Sequence, residues 1–131
     1  MTMTKSLTFM REFLTFRRFA IVGVSNDPKK YGHIVYHNLK DKGFTVFPVN
    51  PNVQQIGDDP CYARLADLPE PVDGAVLVVP PPVTEKIVRE AADAGITRVW
   101  MQPGAESDEA IQFCEQHGMS VVHDACIMTM T

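Results

Sequence analysis

The residues best placed for chemistry lie between Phe19 and Gly32. There an apolar run, Phe19-Ala20-Ile21-Val22, gives way to Gly23-Val24-Ser25 and then to two cations, Lys29 and Lys30. A strand that turns into a helix leaves the first helical amides without partners, and the helix dipole adds positive charge, so such a junction stabilises a phosphate. Gly23 lets the backbone approach a ligand closely, and Lys29 or Lys30 can answer its charge. The same residues also suit an ordinary tight turn with solvated lysines, so the segment nominates a phosphate cradle without naming the phosphate.

From Gly23 the pattern is G-x-S-x-x-P, with Ser25 and Pro28 where the dinucleotide fingerprint has its second and third glycines. The acidic residue that would hold an NAD ribose at the end of the second strand is replaced by Asn50. NAD is therefore disfavoured, and a nucleotide with more negative charge near the glycine turn is expected. His33, His37 and His117 have no companions at metal-ligand spacing, so no metal site is predicted. His123-Asp124 reads as unable to form a catalytic pair, because adjacent residues on a strand point to opposite faces.

These side chains need a scaffold, and the periodicity supplies one. Ile34, Val35 and Leu39 recur at helical spacing before Gly43, which predicts a helix over 32–42. Thr45 to Val49 reads as the second strand, with Pro48 near its end where a ladder N–H can be spared. Asn50-Pro51-Asn52 turns the chain, and a loop with Gly57, Asp58, Asp59 and Pro60 leads to a short helical piece carrying Leu65 and Leu68. The third strand, Gly74 to Val79, is apolar throughout, the pattern of a parallel strand covered on both faces. A helix over 83–94, a strand Val99 to Met101, a helix capped by Ser107 and closed by Gly118, and a strand Met119 to Val122 follow.

Alternating units of this kind predict an α/β, Rossmann-like, doubly wound sheet of five parallel strands in the order 3-2-1-4-5. The ligand is then expected where the winding reverses, between the first and fourth strands. Four segments of small, rigid or amide residues reach that edge: Gly23-Val24-Ser25, Asn50-Pro51-Asn52, Pro80-Pro81-Pro82 and Gln102-Pro103-Gly104. Asn50-Pro51 and the prolines also fit purely structural roles in turns and at a helix start. An extra amphipathic helix, roughly Ser6 to Phe16, is predicted within an N-terminal extension over 1–17, with Leu7, Met10, Phe13 and Leu14 inward.

Bulk composition narrows the function. The 131 residues form one domain, 45% apolar and 21% charged, as in an ordinary globular protein. A net charge of −4 gives no diffuse pull toward a polyanion, which argues against nucleic acid. The run Ala75 to Val79 falls far short of the ~20 residues that cross a bilayer. Arg11, Glu12, Arg17 and Arg18 interrupt any apolar signal core, so a cytoplasmic protein is expected. Cys61, Cys114 and Cys126 are widely spaced, which predicts reduced thiols.

Taken together, Gly23-Val24-Ser25, Phe47-Pro48-Val49-Asn50-Pro51, Cys61-Tyr62, Leu68-Pro69-Glu70-Pro71-Val72-Asp73, Val99-Trp100-Met101-Gln102 and Cys126 resemble the small CoA-binding proteins of the YccU-like group. That group is similar to the CoA-binding domain of the succinyl-CoA synthetase alpha subunit. The resemblance runs from about Phe19 to Ile127. It implies coenzyme A or an acyl-CoA as cofactor, with Gly23, Val24, Ser25 and Lys30 at the pyrophosphate. It also implies Asn50 and Pro51 at the nucleotide, Val79, Pro80, Val83 and Thr84 along the adenine or pantetheine arm, and Met101 and Gln102 across the cleft.

Where relatives often carry Arg before the last cysteine, this chain has Asp124-Ala125-Cys126, so a positive contact is expected to be missing there. In the synthetase, other domains supply the chemistry. The expected role is thus a non-catalytic carrier, sensor or regulatory module, alone, as a homo-oligomer or with a protein partner. The alternative is a small enzyme acting on a thioester or nucleotide through Cys126 or His123. Cys126 itself is open to two readings, an inert thiol or a partner for the pantetheine sulfur.

Overall fold

A strand with no polar side chain must be buried on both faces, and Gly74–Leu77 (β5) is buried at every position. It lies at the centre of the sheet. The computed structural model describes residues 2–131. Around β5 stand four more parallel strands: Arg18–Val22 (β1), Thr45–Val49 (β2), Arg98–Met101 (β6) and Ser120–Val122 (β7), in the order β2-β1-β5-β6-β7. The doubly wound parallel sheet of five strands is as the sequence predicts.

The strand order is not. Among these five strands it reads 2-1-3-4-5, because the third strand pairs with the first, Phe19 beside Gly74 through Val22 beside Leu77. The order 3-2-1-4-5 would have put the second strand inside the sheet. Pro48 lies in that strand, opposite Ile21, and its missing N–H is tolerated only at an edge. Its carbonyl faces outward and accepts from Tyr62 N at 2.9 Å. The reversal of winding therefore falls between β1 and β5, and the expected cleft moves with it.

Two layers of helix cover the sheet. Pro81–Asp93 (α3) and Asp108–Gln116 (α4) pack on the face of Ala20, Val22, Leu77, Val99 and Met101. Thr2–Leu14 (α1), Tyr31–Asp41 (α2) and Ile127–Met130 (α5) lie on the side of Ile21, Val76, Trp100 and Val122. The cap of α4 is as expected, with Ser107 Oγ accepting from Ala110 N at 3.3 Å. In α1, Phe13 is fully buried on the bare backbone of Gly74, where an added Cβ would stand 2.7 Å from its ring. Phe13 also stacks on Phe19 with ring centres 4.7 Å apart. Leu7, expected to face inward, is 52% exposed.

Two small elements add to the expected ones. Gln55–Ile56 (β3) and Asp59–Pro60 (β4) form an antiparallel hairpin, tied to α2 through Tyr36 Oη and Lys40 Nζ, which both donate to Asp59. The short helical piece is a single 3-10 turn, Leu65–Asp67. No helix among the described residues is long and apolar enough to cross a membrane.

Candidate functional site

Where β1 ends, Gly23 takes φ +102° and donates its N–H to Val49 O at 2.9 Å. A Cβ there would stand 2.2 Å from Val78 O, so only glycine fits between β1 and the chain leaving β5. Gly32, in the first turn of α2, is equally constrained: its Cβ would lie 2.1 Å from Gly23 O. The helix start is thereby pressed onto the glycine turn. This is the close helix-to-strand contact that the third glycine makes in dinucleotide sites, displaced here from Pro28 to Gly32.

The start of α2 is open. No side chain caps it, and its first bond runs from Ile34 N to Lys30 O at 3.2 Å. The amides of Tyr31, Gly32 and His33 thus stand outside the helical ladder. Lys29 and Lys30 are exposed beside them and enter no ion pair among the described residues. Ser25 Oγ accepts from Asp27 N at 3.3 Å, and Ser25 O is held by His33 Nδ1 at 2.8 Å.

Asn50 fixes the turn from the side. Its Nδ2 donates to Val24 O at 2.9 Å while its Oδ1 accepts from Asn52 N at 2.9 Å. An aspartate could not make the first of these bonds, which gives Asn50 a structural reason beyond any ligand.

Two hollows flank this corner and share Val79 as a common wall. The first, about 390 Å³, is bounded by Gly23, Asn50, Pro51, Val79 and Val83, with Arg64, Lys86 and Glu90 at its rim. Its lining includes neither a His nor a Cys. The second, about 380 Å³, is bounded by Tyr31, Val79, Pro80 and Gly104. Of the residues expected at the site, these two hollows gather seven: Gly23, Asn50, Pro51, Val79, Val83, Pro80 and Gly104.

Others fall elsewhere. Ser25, Lys29 and Lys30 lie at the α2 start. Val24 and Met101 are fully buried in the core. Thr84 is fully buried too, its hydroxyl donating back to Pro80 O at 3.5 Å, and it lines neither hollow. Gln102 is also buried and acts as a brace. Its Oε1 accepts from Ile127 N at 2.8 Å, so its Nε2 must face Tyr31 Oη, 2.9 Å away, and Cys126 Sγ, 3.3 Å away.

Sequence reasoning missed Arg64 and Lys86. Lys86 had a signal, since Val83, Lys86, Ile87 and Glu90 share one helical face. Arg64, paired with Asp67 at 3.2 Å, had none.

His123 and Asp124 correct an expectation. They do hydrogen-bond, Nδ1 to Oδ2 at 2.5 Å, because β7 ends at Val122 and Asp124 turns the chain with φ +62°. The opposite-faces rule does not apply past the strand's end. Neither residue lines the two hollows. No cluster of three His, Cys, Asp or Glu side chains suited to a metal occurs among the described residues.

The CoA binding domain family matches this chain over residues 17–131. The chain belongs to the CoA-binding domain family. It is 29% identical to the alpha subunit of the ADP-forming acetate–CoA ligase II of Pyrococcus furiosus, over 90% of this chain and 28% of that one. It thus spans little more than a quarter of that ligase subunit. It is also 26% identical to the uncharacterized protein YneT of Bacillus subtilis, over 85% of this chain and 82% of YneT. Among solved structures, a conserved hypothetical protein from Pyrococcus furiosus superposes with a TM-score of 0.86 at 46% identity, covering 88% of this chain and all of that one.

Proposed function

We propose that this CoA-binding domain holds coenzyme A or an acyl-CoA at the β1–β5 reversal, as a carrier or sensor without catalytic machinery of its own. The observation that carries this reading is the α2 start: uncapped amides pressed against a glycine turn, with two unpaired lysines beside them. The cofactor's pyrophosphate sits there, where dipole and cations both favour negative charge. Its adenosine takes the apolar hollow of Val79 and Val83, and its 3′-phosphate meets Lys86 or Arg64 at the rim.

Calorimetry with CoA, dephospho-CoA and NAD tests the assignment. CoA is expected to bind tightest and dephospho-CoA about tenfold more weakly, the loss of one exposed charge contact worth roughly 1.4 kcal/mol. NAD is expected to bind weakest. No heat with CoA, or NAD binding as tightly as CoA, would overturn the reading.

A further inference from the structure

Beyond the nucleotide end, one cluster of reactive side chains is left unused. Cys126, Tyr31 and Gln102 come from three distant segments and meet around Tyr31, the one of the three that lines the second hollow. Tyr31 Oη lies 3.1 Å from Cys126 Sγ, and Gln102 Nε2 lies 3.3 Å from the same sulfur. The arrangement is held from behind. Ile127 N fixes the amide's orientation, and Trp100 Nε1 donates to Ala125 O at 2.9 Å, pinning the residue before the thiol.

The three thiols of the chain differ in their surroundings. Cys114 is fully buried, and burial, with a contribution from Glu115, pushes it up to about 12. Cys61 is likewise pushed up by burial. At Cys126 burial also acts upward, but hydrogen bonds from Tyr31, Gln102 and the backbone of Met128 and Thr129 outweigh it and bring the thiol below its usual value. Tyr31, raised to about 12 by burial and by its bond to Cys126, keeps its proton and remains a donor to the sulfur. Cys126 is also partly exposed. A partly exposed thiol with stabilised thiolate is the form that attacks disulfides.

We propose that Cys126 exchanges with a disulfide of coenzyme A, so that the domain retains the pantetheine sulfur as a protein–CoA mixed disulfide. This rests on the reading above, since Tyr31, the first residue of α2, lines the second hollow and Val79 joins that hollow to the nucleotide one. In the step, the Cys126 thiolate attacks one sulfur of CoA disulfide. A Cys126–CoA bond forms, the original S–S bond breaks, and the departing CoA thiolate takes a proton from water. One disulfide is consumed and one is made, so no outside oxidant is needed. Reduced thiols reverse the step.

Intact-mass analysis of the reduced protein after incubation with CoA disulfide, with glutathione disulfide as the comparison probe, provides the test. One CoA per chain is expected, forming at least ~10-fold faster than the glutathione adduct because binding places the sulfurs together. Peptide mapping of the unaltered chain should locate the adduct at Cys126. Cys126→Ser should abolish it, whereas Cys61→Ser should not. Tyr31→Phe, which removes a donor to the thiolate, should move the pH midpoint of the exchange upward.

An adduct at Cys61 or Cys114, equal rates with the two disulfides, or no adduct at all overturns the proposal. Calorimetry with reduced CoA on the same protein separates the two readings. Heat without an adduct removes the exchange alone, and absence of heat removes both, whatever adduct forms.

Discussion

At the start of α2, three amides stand outside the helical ladder with no side chain over them. At the start of α3, Pro81 and Pro82 bring no N–H, and Pro80 O takes the next two amides, Val83 N at 2.9 Å and Thr84 N at 3.1 Å. The two helices follow neighbouring strands and face the same cleft, yet only one offers hydrogen bonds to an anion. The other offers carbon: Val83, Ile87 and the proline rings. A ligand with a charged middle and apolar arms would match this asymmetry, each helix start then meeting a different part of it. Topology thus supplies two equivalent positions at a switch point, and local sequence assigns them different tasks.

The largest effect comes from breaking the α2 side. In Gly32→Ala the new Cβ would stand 2.1 Å from Gly23 O, a backbone atom that cannot swing away. Alanine's better helix propensity returns about 1 kcal/mol. The clash outweighs it, and a net loss of roughly 2–3 kcal/mol is expected in urea unfolding. Because the amides move with the helix, CoA affinity should fall by at least ~100-fold in calorimetry. The matched change on the other side, Pro82→Ala, should cost less than about 1 kcal/mol, through the freer unfolded chain alone. Its CoA affinity should stay within about twofold. Equal losses of affinity in the two variants would erase the distinction between the helix starts.

A smaller effect sharpens the electrostatic half of the comparison. Removing both cations in Lys29→Ala/Lys30→Ala should leave stability within about 0.5 kcal/mol, since neither lysine side chain enters an ion pair among the described residues. CoA affinity should drop ~10-fold, and the remaining binding should depend less steeply on salt. An unchanged salt dependence would mean that the phosphates are held somewhere else.

The sequence made the α2 side easier to read than the α3 side. Gly23, Ser25 and the lysines are contiguous, so their shared location follows from one strand-turn-helix unit. The role of Gly32 was hidden, because a glycine inside a helix announces a close contact only when its neighbour is known. Arg64 and Lys86 reach the same hollow from elements far apart in sequence. The cluster of Tyr31, Gln102 and Cys126 is more distant still, and no spacing rule links its members. Pro48 held the strand order in plain view: a proline at the second strand argues for an edge, which excludes the order 3-2-1-4-5. The β3–β4 hairpin escaped notice since two-residue strands have too few positions to show alternation.

Acid provides the gentlest probe of the asymmetry, because the two groups with shifted values that titrate in acid, His37 and Asp59, sit on or against α2. His37, on α2, is held below its ordinary value of 6.5 by burial first, then by His33 and Lys40. Its folded form therefore prefers to be neutral, and the unfolded chain binds the proton more readily. Stability attributable to His37 is fully present above 6.5 and is lost as pH falls below that value. Asp59, which anchors the hairpin to α2, is depressed by its hydrogen bonds from Lys40 and then Tyr36, so its contribution also disappears in acid, but at lower pH. Both groups are near solvent, and the His37 share should be less than about 1 kcal/mol. Thermal melts across pH 7 to 5 should show a falling midpoint in the unaltered chain and a shallower fall in His37→Asn. Parallel curves would place the acid sensitivity outside α2 and leave the two helix starts alike in this respect.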